Sequence, residues 1–136
     1  MSIYPHRAVS VFADRFDKVA VATAVDMIEC RKLRLGFFEG YMFGEAAWDM
    51  LLVLFVAESR GVRLKVSDLT FESGAPPTTA LRWLGFLEER GYIGRTPSPS
   101  DGRVFFVDLT DLSIKKMEGY LQTAKTRVLN LDPTRG

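Results

Sequence analysis

Arginine and threonine side chains that could contact nucleic-acid bases occur together in the segment PPTTALR. Pro77 lies in the first turn of a helix predicted over residues 76–90, and Thr78, Thr79 and Arg82 follow it. An arginine can bond two atoms of a guanine, and a threonine can offer its methyl group to thymine. The alternative is that Arg82 is a solvated surface charge and that Thr79 turns partly into the core.

A second cationic segment, RTPSPSDGRVFFVDLT, begins at Arg95 and has a polar turn that contains Asp101 and Arg103. An arginine at the tip of such a turn can enter a narrow minor groove, where the negative potential is enhanced over A·T-rich steps. Asp101 could hold an arginine in a bidentate pair, and we expect Arg95 on the opposite strand to be its partner. The alternative is an exposed turn with unpaired charges.

Two further side chains could bind phosphate groups next to these segments. Ser67 lies near the start of a predicted helix, and Arg90 lies at the end of the following one. Contacts to phosphates position a protein on DNA without reading its sequence. For Ser67 the alternative is an N-cap, in which the hydroxyl accepts a hydrogen bond from a backbone N–H.

The elements that would position these side chains follow each other closely. A brief strand is predicted over residues 63–66, and a helix runs from Ser67 to about Ser73. Gly74 stands where the end of a helix favours a residue with positive φ. The second helix has prolines in its first turn and Gly91 after its end. Two helices joined by a tight turn are typical of a helix-turn-helix.

The pattern after Gly91 is that of a β-hairpin. Arms over residues 92–95 and 104–109 flank the loop TPSPSDG, and alternate residues of the second arm share a face. Thr110 then caps a last helix, predicted over residues 111–129. A hairpin directly after a helix-turn-helix indicates a winged helix, with the helix before the hairpin as its recognition helix. The residues of that helix expected to pack inward are Ala80, Trp83, Leu84 and Leu87.

Residues 9–36 are predicted to form one long helix with apolar residues on two sides. Such a helix has two packing partners, and one can be a second copy of the chain; the alternative is the central helix of a monomeric bundle. A further helix, predicted over residues 45–60, is apolar on nearly every side and is expected in the core. The first stripe of the long helix consists of Phe12, Phe16, Val19, Thr23, Met27, Cys30, Leu33 and Phe37. The second consists of Val21, Val25, Ile28 and Leu35.

The composition excludes few partners but disfavours catalysis. Lys and Arg number 18 against 17 Asp and Glu, a formal net charge of +1, so any basic surface has to be local. The chain has one His and one Cys, and it lacks metal-ligand spacings, nucleophile motifs and phosphate-binding glycine loops. We therefore expect no enzyme activity, no metal site and no cofactor.

The cysteine content and the apolar runs indicate a cytoplasmic protein. The single cysteine, Cys30, cannot form an intramolecular disulfide and fits a reducing compartment. The longest apolar run, MLLVLFVA, is far shorter than the ~20 residues that span a bilayer. No signal-peptide pattern opens the chain, and we expect no membrane association.

Two stretches, LEERGYIGR and DGRVFFVDLT, resemble the MarR family of bacterial winged-helix transcriptional regulators. That family has a wing signature of Asp, any residue, Arg, five residues, then Leu-Thr. Asp101, Arg103, Leu109 and Thr110 match the signature, and the resemblance extends over about residues 44–112. Many members continue past the wing with two helices, whereas about 25 residues follow Thr110 here, enough for one.

The resemblance and the order of elements together imply a mainly α fold with a small β-hairpin wing (α+β). This is a winged helix-turn-helix with long terminal dimerisation helices. Residues 1–43 would form the dimerisation helix and linker, 44–110 the DNA-binding lobe, and 111–136 the helix that completes the dimer arm or core. The implied function is a sequence-specific, double-stranded-DNA-binding transcriptional regulator acting as a homodimer. Its recognition helix would enter the major groove and its wing arginine the minor groove.

Three alternatives accompany this interpretation. The winged helix could instead be a protein-interaction module without DNA binding. Some MarR-family members sense oxidants through a cysteine, but the place of Cys30 on an apolar stripe favours an inert, buried thiol. A group of aromatic residues could line a pocket for a small apolar or phenolic effector, or could pack in the core. The group comprises Tyr4, His6, Phe37, Phe38, Tyr41, Phe43 and Trp48.

Overall fold

Five helices and four short strands form the part of the chain that the computed structural model describes, residues 8–9, 15–35, 37–38 and 45–125. The predicted mainly α fold with a β-hairpin wing is confirmed. The helices are α1 (Lys18–Leu35), α2 (Ala46–Ser59), α3 (Val66–Ser73), α4 (Pro77–Glu89) and α5 (Asp111–Ala124). The strands are β1 (Ala8–Val9), β2 (Val62–Lys65), β3 (Ile93–Pro97) and β4 (Phe105–Leu109).

The strands form one antiparallel sheet in the order β1-β2-β4-β3. β3 and β4 are the arms of the predicted hairpin, with Arg95 opposite Val107. On the other side of β4, Leu64 of β2 also lies opposite Val107, so the base of the wing is a three-stranded ladder. β1 extends the sheet, with Ala8 opposite Arg63.

α2 lies at the centre of the core, as its apolar residues on nearly every side predicted. Met50, Leu54 and Phe55 are fully buried, and Leu64 of β2 and Leu84 of α4 are fully buried in the same cluster. Each such side chain contributes roughly 1.5–3 kcal/mol to folding, so α2 holds the sheet and the helix-turn-helix together. Among the described residues no helix is both long and apolar enough to cross a membrane.

α1 begins at Lys18, and the predicted start at residue 9 is wrong because residues 8–9 form β1. Asp17 stands directly before the helix, and its carboxylate accepts a hydrogen bond from the Ala20 N–H (2.9 Å). This is an N-cap contact that the sequence interpretation missed. The N–H of Asp17 donates to Glu118 of α5 (2.7 Å), so the start of α1 is docked on α5. Residues 10–14, with Phe12, lie outside the described residues.

α1 buries one face and leaves another apolar line exposed. The buried face follows Phe16, Ala20, Ala24 and Ile28, and the Phe16 ring meets Phe55 edge-on at 5.0 Å between centroids. The predicted first stripe lies at the edge of this face, so some of its residues are buried and others are exposed. Its residues Val19, Cys30 and Leu33, together with Ala22, are exposed, and we call these four the exposed α1 stripe. In the second stripe Val21 and Val25 are half-buried, while the side chain of Leu35 is outside the described part.

The helix-turn-helix forms as predicted, with different helix starts. Gly74, directly after the end of α3, has a φ of 71°, and Gly91, after the end of α4, has a φ of 77°. Both conformations favour glycine. α4 begins at Pro77 after Pro76, whose φ of −55° and ψ of 143° place it just before the helix. The fixed φ of proline suits this first turn.

The junction between β4 and α5 is built on Leu109 and Thr110. The predicted cap is confirmed, because the Thr110 hydroxyl oxygen accepts a hydrogen bond from the Ser113 N–H (3.3 Å). The same hydroxyl donates to the carbonyl of Gly91 (2.7 Å). Glu58, buried at the end of α2, accepts a hydrogen bond from the Leu109 N–H (2.7 Å). The described part of the chain stops at residue 125, before the predicted end of this helix.

Candidate nucleic-acid interface

The outer face of α4 presents two of the predicted base-contacting side chains. Thr78 and Arg82 are exposed, and Thr79 is half-buried. Ala80, Leu84 and Leu87 anchor the opposite face, with exposed fractions of 3% or less. Because these inward positions recur every three or four residues, they fix which side of the helix faces solvent.

Trp83 does not pack inward, contrary to the prediction. It is 39% exposed, and its ring meets that of Phe86 edge-on at 5.4 Å between centroids. Successive helical residues are rotated by about 100°, so Trp83 lies beside, and not on, the buried face formed by Ala80, Leu84 and Leu87. Ala80 and the two leucines already occupy the buried face of α4.

The wing tip carries an arginine that is exposed and restrained at once. The Arg103 side chain is 92% exposed, and its Nε lies 3.2 Å from Asp101 Oδ1. The backbone N–H of Arg103 also donates to Asp101 Oδ1 (3.0 Å). These hydrogen bonds, from the side chain first and the backbone second, hold the pKa of Asp101 below its usual range. The carboxylate therefore stays ionised and braces both the turn and the guanidinium.

The predicted pair between Arg95 and Asp101 is wrong. Arg95 Nε lies 3.2 Å from Glu88 Oε1 of α4, an ion-pair contact that lacks hydrogen-bond geometry. The strand register gives the reason: Arg95 lies within β3, two residues before its end at Pro97, whereas Asp101 lies in the loop beyond the strand ends. Arg95 thus connects the wing to α4 and does not brace the wing tip.

The sheet carries a further pair that the sequence interpretation missed. Arg63 of β2 donates two hydrogen bonds to Asp108 of β4, at 3.1 and 2.7 Å. Its guanidinium also lies over the Phe106 ring, 4.5 Å from the centroid. Cross-strand neighbours interact in this way, so knowledge that β2 pairs with β4 would have revealed this pair. Together with Arg95 and Glu88, it ties the wing base to the rest of the lobe.

A groove of about 430 Å³ separates the start of the helix-turn-helix from the wing. Ser67, Pro77 and Arg103 all line it, so three of the predicted residues share one site. Lys65, which the sequence interpretation did not single out, lines it as well. Lys65 and Arg103 are the charged side chains that line it among the described residues, and Asp101 offsets part of this positive charge through its ion pair with Arg103. Its remaining lining residues are Val66, Thr70, Leu81, Val104 and Phe105.

Ser67 is not the N-cap of α3, because that helix begins one residue earlier, at Val66. The N-cap residue is Lys65, and its backbone N–H donates to the carboxylate of Asp68 in the first turn (3.0 Å). Ser67 is exposed and faces the groove. Its hydroxyl is therefore available for the other predicted role, a phosphate contact.

Sequence comparison finds no matching protein-family model and no matching curated protein. In structure the chain is similar to a mutant of MarR from E. coli, with TM-score 0.54 and 20% identity over 84% of this chain and 86% of that one. It is similar to Streptococcus pneumoniae FabT in complex with DNA, with TM-score 0.53 and 18% identity over 78% of this chain and 71% of that one. The transcriptional repressor CouR, bound to a 23-mer DNA duplex, gives TM-score 0.50 and 24% identity over 61% of this chain and 55% of CouR.

The chain has the MarR-type winged-helix fold. The order of α3, turn, α4 and β-hairpin is the part of this fold that positions Arg82 and Arg103. These likenesses are of fold, since the identities are between 18% and 24%.

Arg90 stands apart from the other predicted contacts in this MarR-type lobe. It follows the end of α4, and its guanidinium lies over the Phe86 ring, 4.7 Å from the centroid. A helix rises 1.5 Å per residue, so Arg90 is roughly 20 Å along the axis from Pro77. The site is therefore extended, with Arg82 in its middle.

A smaller groove of about 210 Å³ lies between α2 and α5. Trp48, one of the predicted effector-binding aromatics, lines it and meets Tyr120 edge-on at 5.2 Å between centroids. Phe37 and Phe38 are exposed after α1 and are not part of this groove. Tyr4, His6, Tyr41 and Phe43 lie outside the described residues. The groove is lined by Trp48, Leu51, Tyr92, Ser113, Lys116, Met117 and Tyr120.

Cys30 is exposed on α1, so the expectation of a buried thiol is wrong. The helical position explains this, because Cys30 belongs to the exposed α1 stripe rather than to the buried face. No group of three or more His, Cys, Asp or Glu side chains that could hold a metal occurs within the described ranges.

Proposed function

We propose that this protein is a MarR-family transcriptional regulator that binds double-stranded DNA sequence-specifically as a homodimer. In this proposal α4 enters the major groove and Arg103 enters the adjacent minor groove. Residues 1–43 and 111–136 would serve the dimer and residues 44–110 the DNA. The expected location is the cytoplasm, and no catalysis is proposed.

The observation that carries the proposal is the placement of two exposed arginines on one lobe. Arg82 lies on the outer face of α4, and Arg103 lies at the tip of the wing, where it lines the groove together with Lys65. A helix presents such side chains to base edges in the major groove, and a wing turn presents its arginine to the backbone or the minor groove. The fold alone would leave the function open.

Thr78 and Thr79 complete the proposed base-contacting set, and phosphate contacts are assigned to Ser67 and Arg90. Lys65 joins them, since it lines the groove beside Ser67. Asp101 and Arg95 would act indirectly, the first through Arg103 and the second through Glu88.

The homodimer is proposed from the exposed α1 stripe. Val19 and Leu33 are 51% and 65% exposed on one side of α1, and Ala22, the charged Asp26 and Cys30 lie between them. A second copy could cover this line, because a twofold axis places the same stripe of each protomer face to face. Dimerisation would also give two copies of Arg82 and Arg103, which increases the local positive charge of a protein whose formal charge is near zero.

The proposal is tested by fluorescence-anisotropy titration against mixed genomic DNA fragments at two salt concentrations. Phosphate contacts release counterions, so affinity should fall steeply as salt rises. Light scattering on the same sample should give the mass of a dimer. The rival function, a protein-interaction module, is favoured if a folded dimer shows no DNA affinity even at low salt.

The groove between α2 and α5 favours an additional proposal, regulation by a small apolar or phenolic effector. Its lining is mostly aromatic and apolar, and its charged side chain is Lys116, whose Nζ donates to the Tyr92 hydroxyl (3.3 Å). Such a surface suits a flat ring with one polar group. Quenching of Trp48 fluorescence by a phenol, lost in Trp48→Leu, would support this; unchanged emission of both proteins would remove it.

A further inference from the structure

Arg31 connects α1 to the turn of the helix-turn-helix. Its Nε donates to Asp49 Oδ2 of α2 (2.7 Å), and a terminal guanidinium nitrogen donates to the carbonyl oxygen of Ser73 (2.9 Å). Ser73 is the last residue of α3. One side chain of α1 therefore contacts both the central helix and the segment that leads into α4.

The surroundings of Arg31 make this connection specific. The side chain is only 18% exposed, and that of Asp49 is 9% exposed, so the pair is largely shielded from water. The Ser73 carbonyl lies at the C-terminus of α3, where the helix has partial negative charge and carbonyl groups lack helical partners. A planar guanidinium can satisfy a carboxylate and a carbonyl in two directions at once, which an ammonium does less well.

Gly74 is shaped to this guanidinium as well as to the turn. A Cβ at residue 74 would lie 2.6 Å from an Arg31 terminal nitrogen. The φ of 71° already disfavours other residues at this position. The backbone of the turn therefore favours glycine at residue 74, and the Arg31 guanidinium occupies the space that a Cβ would take there.

We propose that Arg31 is a positioning residue for DNA recognition. It fixes the angle between α1 and the turn before α4, and so fixes the separation of the two recognition helices in a dimer built on α1. This inference rests on the proposed homodimeric, DNA-binding function. A dimer reads two half-sites that are about one helical turn apart, so the separation of its recognition helices decides which half-site spacing it accepts.

The first test measures the angle without DNA. Nitroxide labels on Lys32→Cys of α1 and on Glu89→Cys at the end of α4, in a Cys30→Ala background, report the α1–α4 distance by pulsed electron resonance. Both labelled positions are exposed and lie outside the exposed α1 stripe. Labelled chains are diluted with unlabelled ones so that pairs within one chain dominate. The charge-neutral double variant R31M/D49L should broaden the distance distribution, because it removes the connection without leaving a buried charge.

The matched control is R63M/D108L, which removes the other closely bonded pair, also at 2.7 Å, from the sheet. This control should leave the α1–α4 distribution narrow. Arg31→Lys retains the charge beside Asp49 but lacks the planar guanidinium that bonds in two directions. It serves as the second variant if the double variant does not fold. An unchanged distribution in whichever Arg31 variant folds would overturn the inference.

The second test uses DNA with the two half-sites moved apart by single base pairs. Wild-type protein should lose affinity on the order of tenfold for one added base pair, since the second half-site is then rotated and displaced. The Arg31 variants should lose less than about threefold, because their lobes can follow the altered spacing. A general loss of stability would lower affinity equally at every spacing, and that result would also overturn the inference. If wild type binds no DNA, the proposed function fails, while the distance measurement still decides whether Arg31 fixes the angle.

Discussion

The outer face of α4 and the wing tip each present an arginine, but they restrain it differently. Arg82 is exposed, and within the described residues it makes no ion pair. Arg103 is held by Asp101 through its side chain and its backbone. A restrained side chain has less conformational freedom to lose on binding, whereas an unrestrained one can adapt to the base it meets. Under the proposed function the wing is therefore organised in advance, and selection among bases depends on α4.

The supports of the two regions differ as well. α4 rests on apolar side chains, since Ala80, Leu84 and Leu87 are buried. The wing base also depends on polar contacts, in which Glu58 binds the Leu109 N–H and two ion pairs join the strands to their neighbours. Changes in pH and charge should consequently affect the wing more than α4.

The largest expected effect concerns Glu58. Burial, as the main cause, raises its pKa to about 7 from an ordinary 4.5, although the Leu109 hydrogen bond and the nearby Arg15 and Arg63 oppose the shift. Asp108 acts in the same direction as burial. Because the pKa of Glu58 is higher in the folded protein, the protonated carboxyl group stabilises the folded state. This stabilisation is fully present below about pH 4.5 and is lost as the pH rises through 7. The free energy of unfolding should fall by roughly 2 kcal/mol between about pH 5 and pH 8.

Urea unfolding of wild type and Glu58→Gln over this range measures the effect. The amide variant cannot ionise but can still accept the Leu109 hydrogen bond, so its stability should change much less with pH. Hydrogen exchange at pH 8 should accelerate in β4 more than in α4. Equal pH dependence of the two proteins would show that another group is responsible.

Arg82→Ala should have the largest effect on DNA affinity. Loss of one bidentate base contact costs about 1–3 kcal/mol and relaxes the preference at that base. Anisotropy titration against a selected site and against its single-base variants separates the two effects. Lys115→Ala, which removes an exposed cation of α5, is the control and should bind like wild type. A uniform loss across all sites would mean that Arg82 contacts phosphate.

Arg103→Ala should have a smaller effect, seen mainly in the salt dependence. Each lost cation–phosphate contact lowers the slope of log affinity against log salt by about 0.9. The thermal midpoint should not change, because this side chain is 92% exposed. Titrations at four salt concentrations give the slope, and a slope equal to that of wild type would remove the wing from the DNA contact.

The smallest effect is expected for Glu88→Gln, which weakens the contact with Arg95 between α4 and the wing. Glu88 is 45% exposed, and partly exposed ion pairs are worth roughly 0–1 kcal/mol. Affinity should therefore fall no more than about fivefold. A loss as large as that of Arg82→Ala would contradict the view that the two regions contribute separately.

Most of the lobe could be predicted from the sequence because its signals are local. Gly74 and Gly91 mark helix ends through their backbone conformation, and Thr110 caps α5 through a contact three residues away. The alternation of residues 105–109 identifies β4. The exposure of Thr78 and Arg82 could also be predicted from helical spacing, since three small or apolar residues define the inward face of α4.

The errors concern partners that only the three-dimensional arrangement determines. Arg95 pairs with Glu88 rather than Asp101 because the strand register places it beside α4. Trp83 and Cys30 are apolar by type but lie just outside the buried face of their helices. The contact of Arg31 with Ser73 joins residues 42 positions apart, and no local pattern announces it.

The central claim is tested most directly by selecting bound sequences from a random pool of duplex DNA. A homodimer that inserts two α4 helices should enrich near-palindromic sites with half-site centres about 10 base pairs apart, or a multiple of that distance. The same selection with Arg82→Ala should lose the preference at one position of each half-site. A bound pool that matches the starting pool in sequence, for a protein that is folded and dimeric, would contradict the claim.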